Sequence, residues 1–250
     1  MQPPKSHPRY ESLMKREKII EGIKAGIVAE AGLIAHGRGE AFDYLLGEKT
    51  IPEADLAEKM ASFHLVLAEY PVISVNGNSA VLVPDNIVKL SELLTAKIEI
   101  NLFYRSEERV RKIADHLRKH GAKKVLGEKA DATIPGLEHS RALCTKEGTI
   151  MTDVILIPLE DGDRAKALKN MGKTIIAIDL NPLSRTSKAS DVTIVDDVVR
   201  ALPRIIHHIK SVRKEKTSKK AMMKEISAFD NTKNLYKILE RMQNEVISRF

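Results

Sequence analysis

Apolar residues in the first quarter of the chain recur at three- and four-residue steps, and from residue 72 onward they come as short unbroken runs separated by helical stretches. Leu13, Ile19, Ile20, Ile23, Ile27, Val28 and Ala31 mark one amphipathic helix from Tyr10 to Gly32. Pro52 opens a second, to Ala68, with Leu56, Met60, Phe63 and Leu67 on one face. Between them, His36-Gly-Arg-Gly-Glu-Ala-Phe-Asp-Tyr-Leu45 has GxG but no third glycine, and it follows a helix instead of a strand. It therefore fails the dinucleotide fingerprint and reads as a flexible basic loop in which Arg38 can point at a phosphate. A helix cap at Gly37 with a solvated arginine is the alternative.

Val72–Val75 then reads as a strand ending in Asn76-Gly-Asn-Ser79. This is either a tight hairpin or, with helical character from Asp85 onward, a strand-loop-helix crossover. Strands follow at 97–103, 123–126, 153–158, 174–178 and 192–195, and helices at 107–119, 164–171 and 197–212. The run Thr174-Ile-Ile-Ala-Ile178 lacks polar alternation, as a parallel strand covered on both faces does. The pattern predicts an α/β, Rossmann-like, mostly parallel sheet flanked by helices, with a helical N-terminal segment and a C-terminal helix. The segments would be residues 1–70, packed on the main domain, the α/β body at 71–212, and 213–250 as a basic linker plus a helix striped by Leu235, Ile238, Leu239, Met242 and Val246.

Ligands of parallel sheets bind at the carboxyl ends of strands. Those ends carry Asn76 and Asn78, Arg105, the acids Glu160, Asp161 and Asp163, the run Asp179-Leu-Asn-Pro-Leu-Ser-Arg-Thr186, and Asp196-Asp197. The acids suit Mg²⁺ with substrate phosphates; equally, Asp161-Gly162 makes a turn and Asp163 caps a helix. Arg9 and Arg16, near a helix start that disfavours cations, either serve an anion or are solvated.

Charge and composition narrow the field. The net charge of +7 comes almost entirely from residues 210–250, with eleven Lys/Arg against five Asp/Glu, leaving thirty against twenty-nine elsewhere. A basic tail with 4% aromatics and no Trp makes nucleic-acid binding a weak alternative. No apolar run reaches the ~18 residues of a membrane helix, and residues 1–9 lack a signal-peptide core, so the cytosol is the expected location. The lone Cys144 reads as a small buried residue, and the histidines show no zinc spacing.

Taken in register, six motifs closely resemble the archaeal phosphopantothenate synthetases, the 4-phosphopantoate–beta-alanine ligases. They are His7-Pro-Arg-Tyr10, Ala35-His-Gly-Arg-Gly-Glu-Ala-Phe-Asp-Tyr-Leu45, Pro71-Val-Ile-Ser-Val-Asn-Gly-Asn78, Glu99-Ile-Asn-Leu-Phe-Tyr-Arg105, Pro158-Leu-Glu-Asp-Gly-Asp-Arg164 and Ile178-Asp-Leu-Asn-Pro-Leu-Ser-Arg-Thr186. The resemblance covers about residues 7–210, loosely over 128–150. It implies ATP-dependent joining of 4-phosphopantoate to beta-alanine through an acyl adenylate, with Mg²⁺, in a homodimer. By the same resemblance, Arg16, Arg38, Asp179, Leu180, Asn181, Arg185, Thr186, Asp197 and Val198 look like the ATP site, Arg38 and Arg185 being catalytic. Strand-end position adds Asn76, Asn78 and Arg105 for phosphopantoate, and Glu160 or Asp161 for the beta-alanine ammonium or Mg²⁺. A Rossmann-type protein of other function is the competing reading.

Overall fold

Along Val154–Pro158 and Thr174–Ile178 successive side chains enter two different cores: Ile155, Ile157, Ile175 and Ala177 join one, Leu156, Ile176 and Ile178 the other. This period of two, with both faces apolar, is the signature of a sheet covered on both sides. The computed structural model describes residues 4–248. Its first helices are α1 (Tyr10–Lys24), α2 (Glu30–Leu45) and α3 (Pro52–Leu67). The sheet begins with β1 (Val72–Val75), followed by α4 (Gly77–Leu82), α5 (Pro84–Leu94), β2 (Lys97–Ile100), α6 (Glu107–Lys119) and β3 (Val125–Leu126). A small antiparallel pair, β4 (Ala132–Thr133) and β5 (Leu143–Cys144), precedes β6 (Val154–Pro158). Then come α7 (Gly162–Asn170), β7 (Thr174–Ile178), α8 (Arg185–Ala189), β8 (Val192–Ile194), α9 (Val198–Lys214), α10 (Lys219–Ala228) and α11 (Asn231–Ile247).

Six strands pair in parallel in the order β3-β2-β1-β6-β7-β8. From β1 the chain winds one way to β2 and β3, and from β6 the other way to β7 and β8, so the direction reverses between β1 and β6. That reversal opens a crevice at the carboxyl ends of those two strands, the place where doubly wound sheets hold ligands.

Five expectations need correction. The helix drawn from Tyr10 to Gly32 is two helices, because Gly26 turns left-handed (φ 73°) and the N–H groups of Ile27 and Val28 fold back on Gly22 O. Ile27 and Val28 are still buried, which is why the spacing ran on through the break. The stretch 36–45 is no loop but the body of α2. Asn76 opens a helix directly, without a hairpin or an intervening loop: its Oδ1 accepts from Ser79 N at 3.0 Å while Ser79 Oγ accepts from Asn76 N at 3.0 Å. In addition β2 ends at Ile100, since Asn101 turns its Nδ2 onto the carbonyls of Arg141 and Leu143, both at 3.1 Å. Leu56 is exposed, whereas Met60 and Phe63 enter the core.

The first core joins α1, α3, α4, α5, α6 and α9 to one sheet face. The second lies under α7 and the β4–β5 pair, and contains Cys144, whose thiol burial pushes up to about 11. A third joins α2 and α3 to Leu235, Ile238 and Met242 of α11, the helix expected from the C-terminal stripe. The linker expected at 213–220 is shorter, α9 running to Lys214 and α10 starting at Lys219. No helix among the described residues is long and apolar enough to cross a membrane.

Candidate active site

At the reversal point Asn76 ties the two halves of the sheet together. Its Nδ2 donates to Pro158 O at 2.8 Å and to Leu159 O at 3.1 Å, while its Oδ1 caps α4. Asn78 donates to Gly32 O at 2.8 Å and holds α2 against α4. Both side chains expected to meet substrate are thus engaged with backbone, and they shape the crevice floor.

On the β7–β8 side, Asp179 organises the loop that follows its strand. Its two oxygens accept from Asn181 N at 2.9 Å and Ser184 Oγ at 2.6 Å, and Asn181 Oδ1 accepts from Leu183 N at 2.9 Å. Burial pushes the Asp179 carboxyl up, with Ser184, Asn181 N and the Arg38 charge opposing. Arg38 itself is exposed on α2 and makes no ion pair among the described residues. The helix leans over this loop closely, since a Cβ at Gly39 would stand 3.3 Å from Leu180 Cδ1. Here the two glycines let a helix approach the strand end, in place of the loop they suggested.

Around Arg38 the remaining charges are already matched. Arg16 Nε donates to Glu40 Oε2 at 2.7 Å, and Ser12 Oγ donates to Glu40 Oε1 at 2.5 Å. Asp197 pairs with Lys15 and caps α9 through Val199 N at 2.8 Å; burial raises its carboxyl, but Lys15 and that cap hold it below the usual range. Val198 is buried beside it. His36 is buried, its Nε2 3.8 Å from Glu40 Oε1 and without a hydrogen-bond partner among the described residues, and desolvation keeps its imidazole below the ordinary value despite Glu40. Lys15 did not stand out because it lies on a helix face that reads as ordinary, and His36 was visible only as the first residue of the stretch expected to form a loop.

Between the halves, Asp161 caps α7 by accepting from Asp163 N at 3.2 Å, so the capping residue is Asp161 and not Asp163. Arg185 grips Asp163 at 2.7 and 3.1 Å and lies 3.8 Å from Asp161. Thr186 Oγ1 donates to Glu160 O at 3.0 Å, locking α8 to the end of β6. Gly162 permits that contact, because a Cβ there would fall 2.4 Å from Arg185 Cβ.

Glu160 has a different environment from the one its position suggested. Its carboxylate is 2.5 Å from Arg141 Nη1 and 2.6 Å from Arg164 Nη1, and only 2% exposed. It is therefore committed to two buried guanidinium groups. Arg105 donates to Gly127 O at 2.6 Å at the same end of the sheet. Arg141 lay in the loosely matched stretch, and Arg164 was visible only as the last residue of a motif; neither could be paired with Glu160 from spacing alone.

A hard cation would find its carboxylates in Asp161 and Asp163, the acids of this edge that no buried arginine holds. Elsewhere Asp55, Glu58 and His208 place ligand atoms within 4.8 Å of one another, but Arg204 donates to both carboxylates.

The model of the phosphopantothenate/pantothenate synthetase family matches residues 53–245. The chain is 51% identical over 244 residues to a protein from Thermococcus kodakarensis named 4-phosphopantoate–beta-alanine ligase, an alignment covering 97% of this chain and 93% of that one. The chain belongs to the phosphopantothenate/pantothenate synthetase family. A ligase of the same name from Methanosarcina mazei is 48% identical, covering 97% of this chain and 95% of its own. Another, from Methanospirillum hungatei, is 54% identical over 202 residues, 81% of this chain and 82% of its own. The two alignments that cover 97% of the chain take in α1, α2 and the whole sheet, whereas the family model begins in α3.

Proposed function

We propose that this synthetase joins 4-phosphopantoate to beta-alanine at the expense of ATP, forming 4'-phosphopantothenate, AMP and pyrophosphate in coenzyme A biosynthesis. The observation that carries this reading is the similarity to ligases of that name across 97% of the chain. A carboxylate acylates amines poorly, so the acid first attacks the α-phosphorus of ATP and expels pyrophosphate. The beta-alanine amine then attacks the acyl carbon of the adenylate and expels AMP.

Both steps crowd anions into one crevice, so positioning and charge compensation dominate the chemistry. In this proposal the loop from Asp179 to Thr186 and the residues Asp197 and Val198 take the nucleotide. Asp179, Leu180 and Asn181 face ribose or base, and Asp197-Val198 face adenine. Arg38 and Arg185 compensate the phosphates, and Arg16 holds α1 to α2 through Glu40 behind them. Support comes from the placement of Arg38, whose charge bears on Asp179 and which makes no ion pair among the described residues. Asp161, with Asp163, would hold Mg²⁺, which supplies charge neutralisation on ATP when bound. The beta-alanine ammonium is then assigned to the same acidic edge, since Glu160 is committed to arginines. A cytosolic homodimer completes the proposal.

The test is to mix the protein with ATP, Mg²⁺, 4-phosphopantoate and beta-alanine and identify the nucleotide product. AMP with pyrophosphate is expected; ADP, or no turnover, would sink the adenylate route.

A further inference from the structure

Away from the crevice, two facing helices leave one buried carboxylate oxygen unanswered. Asp55 and Glu58 stand one turn apart on α3, and Arg204 and His208 stand one turn apart on α9, which packs against it. The Glu58 side chain is fully buried; its Oε2 accepts from Arg204 Nε at 2.7 Å, whereas its Oε1 has no hydrogen-bond partner among the described residues. A buried carboxylate oxygen without a donor is rare and costly. Burial lifts this carboxyl to about 8, against the pull of Arg204, so a proton answers the oxygen at neutral pH where a second cation could.

The groups around that oxygen are of the kind that ligate metals. One oxygen of Asp55, one of Glu58 and a ring nitrogen of His208 all lie within 4.8 Å of one another. His208 Nε2 is 2.9 Å from Asp55 Oδ1. Partial burial raises the Asp55 carboxyl, but His208 and Arg204 outweigh it and hold it below its usual range. Arg204 bridges the two carboxylates through Nε and Nη2, the part that a cation between them would play. The side chains of Arg204 and Asp55 are each 43% exposed, so this side of the cluster faces solvent and the guanidinium has a way out. Asp196, whose charge also reaches Glu58, is held by Arg200 and Thr50.

We propose that Asp55, Glu58 and His208 form a binding site for a divalent cation of the zinc class, which displaces Arg204 and joins α3 to α9. One imidazole nitrogen with two carboxylate oxygens suits Zn²⁺, water completing the tetrahedron. Mg²⁺ and Ca²⁺ prefer oxygen ligands and gain nothing from His208. Donor atoms around a tetrahedral zinc stand roughly 3.4 Å apart, so the group contracts slightly on binding, and the half-exposed Asp55 is free to supply that movement. On entry of the ion Arg204 turns out to water, Glu58 gives its proton to solvent and His208 binds as neutral imidazole through Nε2. His208 lies eleven residues along α9 from Asp197, about 16 Å, so the ion acts on the packing of the fold and the proposal does not depend on the ligase reading.

The full chain, freed of metal with a chelator, is titrated with ZnCl₂ while uptake and melting temperature are followed. Expected is one ion per chain that requires His208, with a rise in melting temperature that MgCl₂ does not reproduce. CoCl₂ in its place should give the visible absorption of a low-coordinate cobalt. His208→Ala and Asp55→Asn should each weaken this binding by more than the roughly 10- to 100-fold that loss of an outer-shell partner costs. Arg204→Ala should tighten it by roughly 10-fold, because a competing charged donor is gone. That opposite sign keeps the test sharp even where a ligand variant folds poorly. Replacing both Asp161 and Asp163 by Asn should leave the same ion bound. Zinc taken up equally by the wild type and His208→Ala, as surface histidines alone would take it, overturns the site, and so does weaker binding by Arg204→Ala.

Discussion

Asn76 reaches across the reversal point of the sheet to Leu159, donating from Nδ2 to its carbonyl at 3.1 Å and to that of Pro158 at 2.8 Å. Leu159 follows β6 with φ at 51°, a conformation that a branched side chain adopts only when its surroundings hold it. One amide thus caps α4 and fixes the exit of β6, from which Glu160 and Asp161 emerge. Asn76→Ala should lower stability by about 2 to 4 kcal/mol, a lost cap plus carbonyls left without a donor. Asn76→Asp keeps the capping oxygen but turns a second carboxylate oxygen onto the carbonyls of Pro158 and Leu159, so it should not regain wild-type stability. Denaturant unfolding of the three proteins checks this; a stable Asn76→Ala with a raised KM for the acid would return Asn76 to direct substrate contact.

Gly162 and Gly37 make opposite predictions. A methyl at Gly162 would press on Arg185 Cβ at 2.4 Å and Thr186 N at 3.2 Å, both on α8. Gly162→Ala should cost about 1–3 kcal/mol as an overpacked contact and raise KM for ATP by displacing α8. A methyl at Gly37 meets nothing within 4 Å on the exposed face of α2, so Gly37→Ala should stabilise by up to ~1 kcal/mol. Thermal melts distinguish the two, and a shift of the same sign in both variants would count against the α7–α8 contact.

Much of this architecture was legible in the chain because parallel strands buried on both faces leave unbroken apolar runs, as Thr174–Ile178 does. What escaped was whatever tertiary contact decides against local preference. Gly37 and Gly39 look like loop residues, yet they lie in a helix because Phe42, Leu45 and Leu46 pack on α3 and α11 around them. The same holds for the site. Arg38 and Asp179 fall in long motifs at predictable places, whereas Arg141 comes from a turn between two-residue strands, where no period exists to read.

Arg38 is exposed and makes no ion pair among the described residues, so its removal should leave the melting temperature where it was. If its charge acts mainly on the transition state, Arg38→Ala should slow pyrophosphate release by ~100-fold or more. Pyrophosphate release at the wild-type rate would remove Arg38 from the mechanism, and a parallel fall in melting temperature would reassign it to holding α2.

Glu58 gives the stability of the protein a pH dependence. Burial lifts its carboxyl from 4.5 to about 8, against Arg204 Nε at 2.7 Å. Below pH 4.5 the folded and unfolded states both hold this proton. Between 4.5 and about 8 the folded state alone keeps it, so stability from this group falls as pH rises and the loss is complete above 8. The cost at high pH is on the order of a few kcal/mol. Glu58→Gln cannot ionise, and Asp55 remains as a partner for Arg204. The variant should therefore melt above the wild type at pH 9 and close to it at pH 4.5; a pH-independent difference would show that Arg204 keeps Glu58 ionised throughout.

The C-terminal helix is expected to act through packing. Leu235, Ile238 and Met242 fill the core between α2, α3 and the sheet, and Arg241 holds Glu53 through two contacts of 2.9 Å. Each buried side chain contributes about 1.5–3 kcal/mol, so ending the chain after Phe229 should destabilise the protein by several kcal/mol. The loss falls first on α2, which carries Arg38, so activity should decline at temperatures where the sheet is still folded. Circular dichroism melts beside assays at rising temperature separate the two events. Nucleic-acid binding through residues 213–224 would survive this truncation as a steeply salt-dependent binding, and would be lost only when the chain ends before Arg213 or these lysines are neutralised.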